Sequence, residues 1–376
     1  MDRDVLEDWL RLRHAPEVGP ATLARLLAHF STPGAILAAP AGRLRALGLG
    51  DRALAVLDGR EVPPGVAADL RWAEGADHHI LTLDDPRYPP MLREIAAPPG
   101  VLYVTGNPDV LADPQLAVVG SRHPTPGGAE SARAFAAHLA RSGLVITSGL
   151  ALGIDAAAHQ GALDADGATV AVMATGPDRI YPARHKALAH RIARTGALVS
   201  EFPVGTHARA EHFPQRNRLI SGLSAGTLVV EAALGSGSLI TARCASEQGR
   251  EVFAMPGSIH NPVARGCHRL IRQGAKLVET ADDVLEELAA ILRPVTAAAA
   301  PPSPAADDAQ VPDEAHDPDH ERLLQAMGFD PVTVDQLVSR TGLTVEAVSS
   351  MLLLMELRGQ VASLSGGRYV RHQSEP

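Results

Sequence analysis

Between residues 79 and 280 the chain alternates short, continuous apolar runs with helix-length amphipathic segments, and no other feature restricts its fold as strongly. The runs are ILTL (80–83), VLYVTG (101–106), LAVVGS (116–121), LVITSG (144–149), TVAVMATG (169–176), ALVSEF (197–202), TLVVEA (227–232), EVFAMPG (251–257) and KLVET (276–280). Between them lie patterns such as SARAFAAHLARSG and ITARCASEQGR, each ending at a Gly. A strand covered on both faces reads as an unbroken apolar run, and the intervening helices supply the cover. The expected fold class is α/β, an extended Rossmann-like doubly wound parallel sheet over residues 76–293. In such sheets the ligand sits beyond the carboxyl ends of the strands. Residues that follow each run are therefore the first candidates for a site.

The flanks have a different period. Ahead of the sheet, PEVGPATLARLLAHF places Val18, Leu23, Leu26 and Leu27 on one helical face behind a Gly19-Pro20 turn, and a second Gly turn at 48–50 precedes Ala53–Leu57. Short helices joined by Gly turns predict a helical domain over 1–75, resembling SAM or helix-hairpin-helix modules. Behind the sheet, residues 294–319 contain six prolines, six acids and almost no large apolar side chains. Such a segment cannot bury enough surface to offset its ordering entropy and is expected to be a disordered linker. Beyond it, DHERLLQAMG, TVDQLVSRTG and TVEAVSSMLLLMELRG read as three helices, and QVASLSGGRYVR as a strand pair, which together predict a winged-helix domain over 320–372. Its third helix carries Glu346, Glu356 and only Arg358. A protein-contact or structural role suits that helix better than duplex recognition.

The net charge of −9 is unevenly spread. Residues 1–113 sum to −5, 114–293 to +3, 294–319 to −6 and 320–376 to −1. Bulk charge excludes a histone-like or polybasic membrane-binding protein, whereas the central segment is net basic. Its cations gather in three regions. No acid occurs between Asp178 and Glu201, where Arg179, Arg184, Lys186, Arg191 and Arg194 lie, and none between Glu251 and Glu279, where Arg265, Arg269, Arg272 and Lys276 lie. The third region, HFPQRNRLISGLS, brings Phe213, Arg216, Asn217 and Arg218. Guanidinium groups suit phosphates, Asn bonds base edges and Phe stacks on bases, a combination used for single strands.

Two strand ends read as anion cradles. Gly120-Ser121-Arg122 leads through a Pro- and Gly-rich turn into a helix, and Gly235-Ser236-Gly237-Ser238 opens another with small residues and hydroxyls, so that backbone donors and the helix dipole meet an anion. A nicotinamide site would place an acid at the tip of the next strand, but that strand ends in Ser148-Gly149. Asp155 follows in the first helical turn, where it reads as a dipole or capping carboxylate.

Assembled, these strings resemble the DNA-processing protein A family, also called Smf. The matching segments are VVGSR (118–122), SGLALGIDAAAH (148–159), YPARH (181–185), SEFPVG (200–205), FPQRNRLISGLS (213–224), VVEAALGSGSLITA (229–242), EQGREVFAMPGS (247–258) and RGCHRLIRQGAKLVE (265–279). The resemblance implies a protein that binds single-stranded DNA in a basic pocket, forms a homodimer through the Rossmann domain and helps load the recombinase RecA during natural transformation or general recombination. It implies no catalysis and no cofactor. Carried over by motif, Arg122 would grip a phosphate, Arg184 or Lys186 would line the groove, and Phe213, Arg216, Asn217 and Arg218 would flank the strand. Gly120, Ser121, Ser148, Gly149, Ser236, Gly237 and Ser238 complete the candidate DNA-binding set. Leu152 departs from the pattern, because the family commonly has Arg or Lys there.

Two cysteines, Cys244 and Cys267, are too few for a disulfide framework and have no metal-ligand spacing, and the sixteen histidines are scattered without an HExxH. With an acidic start, MDRDVLEDWL, and no apolar run near the ~20 residues needed to span a bilayer, a cytoplasmic protein that does not insert into membranes is expected. The competing reading is an enzyme on the same scaffold, a nucleotide phosphoribohydrolase related to the cytokinin-activating proteins, or a small-nucleotide sensor. Gly226–Glu231 resembles the Gly-Thr and Glu motif of those enzymes, but the spacing and the preceding Gly cluster differ. Acid/base work by Glu231 would need a second carboxylate, for which Asp155 is the candidate.

Overall fold

The computed structural model describes residues 3–59, 63–296, 318–327 and 331–371. Residues 1–124 and 128–296 form one compact unit, and residues 297–376, with 125–127, form the other. Every apolar run named above carries a strand: β1 (His78–Thr82), β2 (Val101–Gly106), β3 (Gln115–Gly120), β4 (Val145–Ser148), β5 (Thr169–Val172), β6 (Ala197–Ser200), β7 (Gly226–Val230), β8 (Glu251–Ala254) and β9 (Lys276–Leu277). They form one sheet in the order β1-β2-β6-β5-β4-β3-β7-β8-β9. Neighbours from β6 to β9 are all parallel, and β2 and β1 extend the β6 side as an antiparallel edge.

The chain winds outward from β3 through β4, β5 and β6, then crosses to the other side of β3 and winds out through β7, β8 and β9. Strand order therefore reverses between β3 and β7, the switch point at which a doubly wound sheet opens a crevice. There Gly120 pairs with Val230 at the two carboxyl ends. A methyl group at position 120 would overlap the Val230 carbonyl oxygen, so only glycine lets the ends approach this closely.

Alternating side chains of the same strands feed two cores. On one face Val119, Val170, Val172 and Val229 pack under Leu219, Ile220, Leu239 and Leu270. On the other, Leu116, Val118, Ile146 and Leu228 pack under Phe135, Leu139, Ile154, Ala158 and Val284. The six described helices between Arg3 and Trp72 close a third core, in which Trp9, Leu10, Leu26 and Ile36 meet Ile80, Val101 and Tyr103 of β1 and β2. Buried Asp69 fastens it, accepting from Tyr103 Oη at 2.5 Å and Val204 N at 3.0 Å and lying 2.7 Å from His14 Nε2. In the Gly turn at 48–50 the Gly50 N–H donates to the Glu17 carboxylate at 3.0 Å.

Most of the expected linker, 297–317, lies outside the described residues. Its margins are helical: 294–296 end the helix Ala281–Thr296, and 318–319 begin the helix Pro318–Met327. In the second unit that helix, Val334–Thr341 and Val345–Leu357 pack on β10 (Val332–Thr333), β11 (Val361–Leu364) and β12 (Arg368–Arg371), with β12 central. Its core holds Leu323, Met327, Leu337, Leu352 and Met355. A Thr333–Gln336 capping box starts the second helix, and β10, only two residues long, had no readable period. Among the described residues no single helix is long and apolar enough to cross a membrane.

His159, on the helix Ile154–Asp164 that backs the crevice, is fully buried. The Thr169 hydroxyl donates to Ile146 O, so it accepts from His159 Nδ1–H at 2.7 Å, and Nε2 keeps a lone pair with no partner. Burial, reinforced by the nearby charges of His185 and Arg216, lowers its pKa to about 3. The unfolded chain binds this proton from about pH 6.5 downward while the native chain refuses it until about pH 3. Stability should therefore fall through that window by about 1.4 kcal/mol per pH unit from this group alone. Urea denaturation at several pH values should give a shallower acid slope for His159→Gln than for the parent; equal slopes would refute the assignment.

Candidate functional site

The crevice at the switch point is a cavity of about 440 Å3. Its walls come from three places the sequence made conspicuous. The turn after β3 supplies Gly120, Ser121 and Arg122; the helix His212–Leu223 supplies Phe213, Arg216 and Asn217; the loop after β7 supplies Gly235, Ser236, Gly237 and Ser238. Asp155 forms part of the floor.

The floor is a buried polar unit. Leu150 has φ 58, and this left-handed step turns the chain after β4 so that the N–H groups of Gly149 and Ala151 both donate to Asp155 Oδ2, at 3.1 and 3.2 Å. Asp155 thus braces the strand-end turn and does not cap its own helix. Against it lies Arg216, whose Nη1 donates to Gly149 O and Val172 O, each at 2.5 Å. Burial raises the Asp155 pKa in spite of Arg216 and those amides, and it pulls Arg216 down to about 10 in spite of Asp155. A side chain at position 149 would overlap the Arg216 guanidinium, so glycine is required beside it. Ser148, also buried, spends its hydroxyl on Val118 O at 2.6 Å. Ser148 and Gly149 therefore hold the floor and do not line the cavity.

The mouth is cationic and aromatic. The exposed Arg122 guanidinium lies 5.4 Å from the Phe213 ring centroid, and Phe213 lies 5.7 Å from Tyr181. Arg122 has no carboxylate partner among the described residues, in contrast to Arg133 and Arg191, which share Asp164. Asn217 Nδ2 donates to Gly237 O at 3.3 Å and ties the helix to the loop after β7. In that loop Ser236 N, Leu239 N and Ile240 N close turn bonds, and the Ser236 and Ser238 hydroxyls are 2.7 Å apart. The amides of Gly235 and Gly237 have no partner among the described residues.

Other expected residues lie elsewhere. Arg184 and Lys186 are exposed at the start of the helix Lys186–Thr195, outside the cavity walls. Arg218 faces away from the crevice: Nη1 donates to Ala97 O at 2.7 Å and Nη2 pairs with buried Glu201. Glu231 ends β7 with its carboxylate toward Gly128 and 3.4 Å from Asn261 Nδ2, so it does not share the cavity with Asp155. Tyr181, half-exposed in the acid-free stretch after β5, escaped the sequence reading. Its ring contact with Phe213 spans 32 residues of chain and leaves no local signal.

A switch-point crevice whose cation stands on an aromatic ring, with glycine amides opposite, defines a Rossmann-type protein suited to an anionic ligand that carries planar bases. Residues 79–289 match the model of the family described as DNA recombination-mediator protein A, and residues 296–367 match that of the DprA winged helix domain. This chain belongs to the DNA recombination-mediator protein A family. It is 45% identical over 309 residues to Protein Smf of Escherichia coli, covering 81% of this chain and 80% of that protein. It is 44% identical over 211 residues to the DNA processing protein DprA of Bacillus subtilis, covering 56% and 71%. Among solved structures it resembles DNA processing protein A of Streptococcus pneumoniae, with TM-score 0.67, 36% identity and coverage of 74% and 97%. The protein of the same name from Helicobacter pylori, whose structure is described as showing its single-stranded DNA binding mode, gives TM-score 0.52 at 29% identity, with coverage of 57% and 96%.

Proposed function

We propose that this chain is a cytoplasmic, non-enzymatic single-stranded DNA-binding recombination mediator. The strand occupies the switch-point crevice, and the bound complex protects it and hands it to the recombinase RecA. One observation carries the reading: Arg122, Phe213 and Tyr181 stand in contact at the mouth of a cavity floored by Arg216. Phosphate goes to the guanidinium and glycine amides, and bases stack on the rings. The Helicobacter pylori relative supports the choice of ligand. Separation of Glu231 from Asp155 disfavours the phosphoribohydrolase reading, since acid/base work needs both near one substrate. A homodimer through the sheet unit is part of the proposal, and the exposed Leu277 on the edge strand β9 supports it.

Fluorescence anisotropy with oligo-dT at increasing salt tests the reading. Log affinity should fall linearly with log salt by about 0.7 per phosphate neutralised. Phe213→Ala should cost about 1–3 kcal/mol of binding for one lost stacking platform, with the salt slope unchanged. An affinity that ignores salt, or no binding, would refute the DNA reading; free base released from nucleoside monophosphates would favour the enzyme.

A further inference from the structure

A second cavity, of about 430 Å3, lies on the other side of the helix His212–Leu223, between it and the helices that precede β1. All of these elements belong to the first compact unit. Val18, Pro20 and Leu23, around the start of the helix Pro20–Phe30, and Phe202 after β6 make most of its wall apolar, and Trp9 also lines it. One corner is polar and holds Arg13, Glu201 and Arg218. The volume suits a small ligand of nucleotide size.

That corner has polar atoms left over. Glu201 is only 5% exposed, and Arg218 pairs with its Oε2. Its Oε1 has no hydrogen-bond partner among the described residues and is not sealed in the core, so it opens on the cavity. Arg13 Nε donates to the Glu201 main-chain carbonyl at 2.9 Å, which pins the guanidinium beside this residue without an ion pair to its carboxylate. The Nη groups of Arg13 have no partner among the described residues. An acceptor and a donor therefore stand side by side, and a ligand that satisfies both carries an N–H next to a carbonyl. Phosphates and carboxylates do not suit the corner, because Glu201 repels them. Guanine and thymine carry the required pair on their Watson–Crick edges; adenine has no carbonyl, and the carbonyl of cytosine adjoins a ring nitrogen without hydrogen.

The two cavities meet across one exposed turn. Pro214 lines the crevice and Gln215, the next residue, lines the second cavity, and both are exposed at the start of their helix. A strand that crosses this turn brings a base from one to the other. We propose that the second cavity takes one nucleobase, guanine or thymine, which donates its ring N–H to Glu201 Oε1 and accepts from Arg13 on the adjacent carbonyl. The inference rests on the single-stranded DNA reading above, since the base comes from the strand held in the crevice; a free guanine or thymine nucleotide offers the same edge.

The test uses the full chain carrying Trp72→Phe. Trp72 stacks on His78 and does not line the cavity, so Trp9, which does, becomes the only indole. Its emission is followed while dGMP, dTMP, dAMP or dCMP is added, and then oligo-dT or oligo-dC of about 30 nucleotides. The midpoints for dGMP and dTMP should lie about tenfold or more below those for dAMP and dCMP, and oligo-dT should act where oligo-dC does not. Ala21→Phe fills the cavity from an exposed position in the first turn of its helix. It should abolish the response and leave the Arg122-dependent anisotropy signal in place. Glu201→Gln turns its amide oxygen to Arg218 and puts a donor where Oε1 stood, so the preference should move from thymine to cytosine. Equal responses to all four bases, a response that survives Ala21→Phe, a preference unmoved by Glu201→Gln, or no response at all would overturn the proposal. A response to nucleotides but to neither oligomer overturns the strand as its source, and one to oligo-dT alone supports it. If the unaltered chain binds no oligomer in anisotropy, the DNA reading fails and only a nucleotide response keeps the cavity; if Arg122→Ala still weakens oligo-dT binding, the DNA reading survives a silent Trp9.

Discussion

Arg122→Ala should weaken single-stranded DNA binding about 10- to 100-fold while leaving the thermal midpoint unchanged. The affinity term is one charge-assisted contact to phosphate, worth about 1.5–3 kcal/mol. The stability term is small because Arg122 is exposed and its one described side-chain contact is the Phe213 ring. A surface change of this kind stays within about 0.5 kcal/mol. A phosphate contact carries no sequence information, so the loss should be uniform across oligomers of different composition, and the salt slope should become shallower by about 0.7. Arg122→Lys should recover part of the affinity, since it retains the charge but loses the planar group that lies against Phe213. Anisotropy isotherms with oligo-dT and a mixed sequence, at two salt concentrations, separate these terms. An unaltered isotherm removes Arg122 from the site; a loss confined to one base composition recasts it as a base-reading residue.

The sheet was legible because strands buried on both faces cannot alternate polar and apolar residues, and β2–β7 are buried along almost their whole length. Legibility of the switch point followed. Chain order places β3 and β7 as the openings of the two halves, and both are followed by Gly- and Ser-rich turns, which is why Gly120–Arg122 and Gly235–Ser238 were found. Direction within a cation cluster was harder to read. Arg216 and Arg218 sit two residues apart on one helix, about 200° around its axis, and cannot serve the same cavity. Phe213 and Arg216, three apart, can, and they do. The role of Asp155 was hidden for a different reason: it depends on the left-handed turn at Leu150, a conformation that leucine does not announce. Of the net charge of −9, residues 294–319 supply −6, and they lie outside the sheet domain. The whole-chain figure therefore says little about the crevice.

Arg216→Met should cost about 3–5 kcal/mol, a large part of the 5–15 kcal/mol that typically holds a domain folded. Three losses coincide. Asp155 remains buried as an uncompensated anion, and the carbonyls of Gly149 and Val172 lose their shared donor. The third is the loss of a filled space beneath the cavity. The pH dependence distinguishes the charge from the space. Burial already holds the Asp155 pKa above its ordinary value, and removing Arg216 takes away the largest force opposing that rise. For a carboxyl group whose folded pKa exceeds its unfolded one, the native state binds the extra proton. Stability is then greatest below the unfolded pKa and is lost as pH rises through the folded one. The gap between Arg216→Met and the parent should therefore narrow on acidification from pH 7 toward pH 5, even though His159 lowers the stability of both proteins over that range. A cavity alone would give a gap that ignores pH, and urea denaturation of the pair at matched pH values decides between them. Because the floor also positions the turn after β4, any Arg216→Met protein that does fold should bind oligo-dT more weakly than Arg122→Ala does, with its loss of affinity accompanied by a lower urea midpoint.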